Sequence, residues 1–180
     1  VSSNNQDPVL ARVEGETLVW CLSPEQEAPD GRGYGLAWNG GESFYAAYTV
    51  VGGGTAFDRA SGWLSDYGSL GSGGNKPVTV LARHRASDGQ ITASTFVAAQ
   101  LGSRRAVNSL SPRALTVLAD GSVELLADSA FSPVNADGSR MCGDGEYPFG
   151  FRARFSSDLK QLLCADTERC SGVKQPCPDG

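Results

Sequence analysis

The sequence predicts an all-β fold, with antiparallel hairpins forming a small propeller-like, sandwich or irregular barrel domain. Short apolar runs are bounded by Asp-Gly, Asn-Gly and Ser-Asp turn signals, and they fall in neighbouring pairs that can close as hairpins. No segment carries an amphipathic helical stripe longer than a turn or two. The expected count is about eight to ten strands.

Residues 17–22 read as an edge strand ahead of a Pro-, Glu- and Gly-rich loop. Residues 35–38 and 42–51 flank Asn39-Gly40-Gly41, a turn whose glycines supply positive φ. Residues 78–83 and 91–97 flank a loop containing Asp88-Gly89. Residues 114–119 and 122–127 flank Asp120-Gly121, and a two-residue Asp-Gly connection is expected to be a type I′ turn with both residues at positive φ. Residues 151–155 and 159–164 flank Ser156-Ser157-Asp158 and close the series. Residues 1–166 are therefore expected to form a single β domain, with 167–180 a Cys/Pro/Gly-containing tail.

Composition narrows the partners. Fifteen Lys and Arg stand against 20 Asp and Glu over 180 residues, a net charge of −5, which disfavours nucleic acid because phosphate binding needs a basic face. Apolar residues make up 40%, enough for a packed core rather than a disordered chain. No apolar run approaches the roughly 20 residues of a membrane span. The chain begins at Val1 and its only Met is Met141, so it is expected to be the remainder of a longer product, cleaved from a leader or trimmed.

Five cysteines, Cys21, Cys142, Cys164, Cys170 and Cys177, include three in the last seventeen positions. Their spacing lacks the short C-x₂₋₄-C knuckle of structural zinc sites. Disulfides in a secreted or periplasmic protein are expected instead, with one thiol left over. The favoured bridges are Cys170 to Cys177 or Cys164 to Cys170, with Cys21 or Cys142 joining the tail to the body.

The hairpins also alternate in kind. The Asn39-Gly40 and Asp120-Gly121 turns resemble one another, and so do the turns at 83–91 and 155–159. Over residues 33–51, 78–128 and 149–166 the chain resembles the repeats of secreted bacterial β-propellers of the SBBP type. That resemblance implies four-stranded blades, of which 180 residues would supply about four.

Residues 52–77 form the one long loop between strands, and loops of that length tend to carry function. Trp63 and Tyr67 could stack on a sugar ring or a partner surface, while Asp66, Asn75 and Lys76 could hydrogen-bond to it. The competing role for Trp63, Leu64 and Tyr67 is to cap an open end of the core. Asn135 and Asp137, with Asp144 and Glu146, are a weak Ca²⁺ candidate, because hard cations take clustered oxygens. The turn preference of Asn and Asp-Gly explains the same residues more simply.

Catalytic signatures are missing. His84, the only histidine, lies between two arginines and is expected to be an exposed strand-end residue. The Gly/Ser-rich stretch 68–74 fits neither a nucleophile elbow nor a P-loop. Among 20 acidic residues no local sequence marks out a carboxylate pair for hydrolysis. The expectation is a non-catalytic extracytoplasmic β module without a cofactor, binding a glycan or protein partner through loop 52–77. The alternative is a structural subunit of an oligomeric or larger assembly, with Trp63, Tyr67, Tyr45 and Tyr48 in the interface.

Overall fold

A computed structural model describes residues 6–24, 31–51, 61–65, 77–101, 106–108, 110–143 and 148–178. Thirteen strands occur among them. β1 (Leu10–Glu14) and β2 (Thr17–Leu22) form a hairpin around Gly15, whose φ of 59° suits only a residue without a Cβ. β3 (Arg32–Trp38), β4 (Ser43–Val51), β5 (Pro77–Arg85) and β6 (Ile91–Val97) follow as a four-stranded meander in the order β3-β4-β5-β6.

After Ala98 the chain leaves that sheet. β7 (Ala99–Leu101) and β8 (Ala106–Asn108) join β11 (Ser132–Pro133) in a small three-stranded sheet. β9 (Ser111–Val117), β10 (Val123–Ser129), β12 (Phe149–Phe155) and β13 (Leu162–Asp166) build a second four-stranded sheet in the order β13-β12-β10-β9. The architecture is all-β and antiparallel, irregular rather than a clearly closed barrel or propeller.

The sheet β3-β4-β5-β6 is central because its inner strands β4 and β5 are covered on both faces. Tyr45, Ala47, Leu81 and Val97 point to one side and share a core with Val123, Leu125, Ala127, Phe149, Phe151, Ala153 and Phe155 of the second sheet. Ala46, Tyr48, Val78, Val80, Ala82 and Phe96 point to the other, where Leu10, Trp20 and Leu22 of the first hairpin lie on them. Burial on both faces is why Tyr45 to Tyr48 and Val78 to Ala82 are all buried, in place of the alternation of a half-exposed strand. β12, by contrast, alternates buried Phe149, Phe151, Ala153 and Phe155 with outward Arg152 and Arg154.

That outward face is laced with charge. Arg154 reaches Asp120 at 2.6 Å, Arg152 reaches Glu124 at 3.4 Å and Asp166 at 3.8 Å, and Arg113 reaches Asp128 at 3.3 Å. Pairs this exposed contribute at most about 1 kcal/mol each and serve mainly to keep the face polar.

Two turns depart from expectation. The connection at Asp120-Gly121 is a three-residue loop in which Leu118 C=O accepts from Gly121 N–H at 2.9 Å, and only Gly121 has positive φ, 82°. It is therefore not a type I′ turn. Ser122 explains the choice, since its N–H and hydroxyl both donate to the Asp120 carboxylate, at 3.0 and 2.6 Å. In the β12–β13 connection Leu159 is the one non-glycine residue at positive φ among the described residues, 61°. A left-handed leucine costs about 1–2 kcal/mol. Leu159 is fully buried in the larger core, and burial of a leucine side chain offsets that cost at about 1.5–3 kcal/mol.

The disulfides join Cys142 to Cys170 and Cys164 to Cys177, with Cα separations of 4.8 and 4.9 Å. The favoured pairings within the tail are thus corrected, for a backbone reason. The tail returns alongside β13, where Ala165 N–H donates to Gln175 C=O at 2.9 Å, and this sets Cys177 beside Cys164. Gly172 N–H donates to Met141 C=O at 3.0 Å and sets Cys170 beside Cys142. Cys21, on β2, is the free cysteine and is exposed.

Thiol titration of the denatured, unreduced protein is expected to find about one thiol per chain, and Cys164→Ser with Cys177→Ser to lower unfolding stability by about 2–5 kcal/mol. A count near five, measured with a chromogenic disulfide reagent, would contradict the bridges.

Candidate functional site

Of the residues singled out in loop 52–77, Asp66, Tyr67, Asn75 and Lys76 lie outside the described residues, and Trp63 lies within them. The segment 61–65 runs along the outer edge of β6. Gly62 N–H donates to Ser94 C=O at 2.9 Å, Leu64 N–H to the Thr95 hydroxyl at 3.0 Å, and Phe96 N–H to Leu64 C=O at 3.0 Å. Neighbouring side chains then point to opposite cores, Trp63 to the larger and Leu64 to the smaller. The Trp63 ring is half-buried against Phe155 with centroids 6.1 Å apart, and its indole N–H donates to Ala136 C=O at 2.9 Å. Trp63 and Leu64 thus close the edge of the central sheet.

The four cation-candidate residues are brought together only in part. Asn135 is buried and spends its amide on the tail: Nδ2 donates to Gly172 C=O at 2.9 Å, and Oδ1 accepts from Lys174 N–H at 3.0 Å. The Asp137 carboxylate accepts from Ser139 N–H, the Ser139 hydroxyl and the Lys174 ammonium, which together hold its pKa well below the usual carboxylate range. An ammonium already occupies the position a cation would take. Asp144 and Glu146 lie outside the described residues, among which no group of three or more His, Cys, Asp or Glu could hold a metal ion.

His84 is buried, which corrects the expectation of an exposed strand end. β5 runs on to Arg85, and pairing of His84 with Phe44 turns the imidazole toward the β1–β2 hairpin. Nδ1 lies 2.7 Å from Gly89 C=O, which can only accept, so the proton is on Nδ1 and Nε2 accepts from the Tyr48 hydroxyl at 2.7 Å. The ring stacks on Phe44 at 4.9 Å, and Phe44 stacks on Trp20 at 6.0 Å. Tyr45 and Tyr48, placed in an interface by the subunit expectation, are both buried in this molecule's cores.

The Trp20–Phe44–His84 stack fixes where the first hairpin sits, and thereby what it leaves uncovered. Arg12 and Trp20 side chains both donate to Ala86 C=O, at 3.0 and 3.2 Å, which pins the hairpin over β4 and β5. Two strands cannot cover four. Leu36 and Trp38 of β3, paired with Ala46 and Phe44, face the same side as the smaller core yet stay 60% and 67% exposed. Between them and β1 lies a groove of about 540 Å³, lined by Leu10 to Val13, Trp20, Leu36, Trp38, Gly41, Phe44 and Ala86. That volume is within the usual ligand-pocket range. The Trp38 indole is held in place, its N–H donating to Gly41 C=O at 2.9 Å.

In the sequence, residues 35–38 read only as a hairpin arm. Tyr34, Leu36 and Trp38 alternate with Gly33, Gly35 and Ala37, the pattern of a strand with one apolar face. Nothing local in that pattern tells whether the face is covered.

Burial pushes the His84 pKa down, against a smaller upward pull from its bond to Gly89. The folded protein therefore holds His84 neutral, and its contribution to stability is complete above the unfolded value near 6.5 and lost as pH falls through that value toward the lowered folded one. Thermal unfolding scans from about pH 7.5 to about pH 5.5 are expected to show a falling midpoint, and the slope should flatten in His84→Gln. An unchanged slope in the variant would assign the pH dependence to another group. No known protein-family model matches the chain, and neither does any curated protein sequence.

Proposed function

We propose that the protein is a non-catalytic, extracytoplasmic β module that binds a glycan or protein partner, and that the groove between the β1–β2 hairpin and β3 is its binding face. The observation that carries this reading is Trp38, a large aromatic ring 67% exposed, fixed by its own indole hydrogen bond and set beside Leu36 and Val13 in a concave apolar wall. A preformed apolar site loses little conformational freedom on binding. Two disulfides support an oxidising compartment.

The loop expectation shifts accordingly. Trp63 is engaged with Phe155 and Ala136, and among the described residues the most exposed aromatic is Trp38. A structural-subunit role has its own support in exposed Val9, Leu18 and Val19, on and just before the same hairpin. Mass in solution separates the two, since a stable oligomer favours the subunit.

Trp38→Ala is expected to leave unfolding stability within about 0.5 kcal/mol and to abolish binding on glycan and peptide arrays. Trp63→Ala is expected to cost roughly 3 kcal/mol through lost packing and to leave binding in place. The reverse pattern would move the binding face to the 52–77 loop.

A further inference from the structure

The groove is lined by Leu10, Ala11, Arg12 and Val13 in unbroken succession. Side chains of a strand alternate between faces, so four consecutive residues can line one groove only if the strand presents its backbone edge to it. On its other edge β1 is paired with β2, and these two strands form a sheet of their own. Among the described residues, no backbone hydrogen bond other than those to β2 reaches residues 10–14.

The shape of the groove agrees with that open edge. At one end it is shut, where Gln6 C=O accepts from Gly31 N–H at 2.8 Å and Pro8 lies against Gly33. Toward Val13 and Trp38 the two walls enclose open space, the opening expected when strands of stacked sheets cross at an angle. The floor is apolar, with Leu36, Trp38 and Phe44. Among the described residues Arg12 supplies the one charged side chain of the lining, and it is already bonded to Ala86 C=O and Glu14. A sugar would find few side-chain partners for its hydroxyls here. An extended backbone would find unpaired amides at its own spacing.

Charge at the open end adds a preference. Arg12 is paired with Glu14 and Arg85 with Asp88. Glu16, in the β1–β2 turn, and Glu42, next to Gly41, make no ion pair among the described residues. Among the described residues the rim is therefore net negative where a bound segment would emerge.

We propose that the groove receives an extended peptide segment of a partner protein, which adds as a third strand to the free edge of β1, sets alternate apolar side chains on Leu36 and Trp38, and carries a Lys or Arg where it passes Glu16 and Glu42. The proposal rests on the groove being the binding face, and it names the occupant. It is a strand-addition mode, in which backbone pairing supplies affinity and the pockets for every second side chain supply selectivity.

The test is a phage-displayed library of short linear peptides panned on the intact protein, with counter-selection on Trp38→Ala, followed by calorimetry with the synthetic winners. Enriched peptides are expected to alternate apolar residues and to carry a basic residue toward one end. N-methylation of amides at every second position, in the register that faces β1, is expected to weaken binding by at least about tenfold, and in the other register by less than about twofold. Leu36→Lys, a second exposed position, should reproduce the loss seen with Trp38→Ala and so guard against a folding artefact. If the winners bind but N-methylation has the same effect in both registers, strand addition is overturned. If no alternating peptide depends on Trp38 while a glycan on an array does, strand addition is overturned and the groove remains the binding face. If neither peptide nor glycan binding responds to Trp38→Ala or Leu36→Lys, both this inference and the function proposed above fail.

Discussion

Strands β4 and β5 bury side chains on both faces, and a sheet of that kind cannot stand alone. Each face must be covered by something brought from elsewhere in the chain. Sheet β13-β12-β10-β9 covers one side with a row of phenylalanines and aliphatics from β10 and β12. On the other side the cover among the described residues is a five-residue strand and a six-residue strand joined by a tight turn, with Leu64 beside them. The fold is thus asymmetric: a complete core on one side, and on the other a core that stops short of β3.

Burial on two sides also forces polar groups into the interior, where each must find a partner or cost about 1–3 kcal/mol. Thr79 does so by donating to Leu110 C=O at 2.9 Å and accepting from Leu110 N–H at 3.1 Å, which ties β5 to the chain entering β9. His84 and Tyr48 satisfy one another and the Gly89 carbonyl. Gly89 itself has no room for a Cβ, which would lie 2.4 Å from Leu22 and 3.0 Å from Trp20. The β5–β6 turn, the buried imidazole and the seat of the first hairpin are one packed unit.

The strands that pair with near neighbours were legible, since hairpin signals are local: residues 17–22 and the four expected hairpins all appear as strand pairs or strands at close to the expected bounds. β7, β8 and β11, of two or three residues each, were not, because nothing but tertiary pairing distinguishes them from loop. β1 was missed although Gly15 marks its turn. Candidate sites were less legible than elements. Cysteine pairing depends on which side of β13 the tail returns, and exposure of Trp38 depends on how far a separate hairpin reaches. The same long-range contacts bury His84, although its arginine neighbours made it look like a surface residue.

The free edges of the two large sheets are treated unequally by the chain. Residues 61–65 bond along β6, and the tail reaches β13 at Ala165 and is stapled there through Cys164 and Cys177. An uncovered strand edge is a template on which other chains can stack, and natural proteins blunt such edges. The second disulfide is therefore placed to hold a piece of tail over the β13 edge as well as to tether it. The strip that Cys177 holds beside Ala165 thus narrows access to β13, whereas the outer edge of β1 carries no such strip among the described residues.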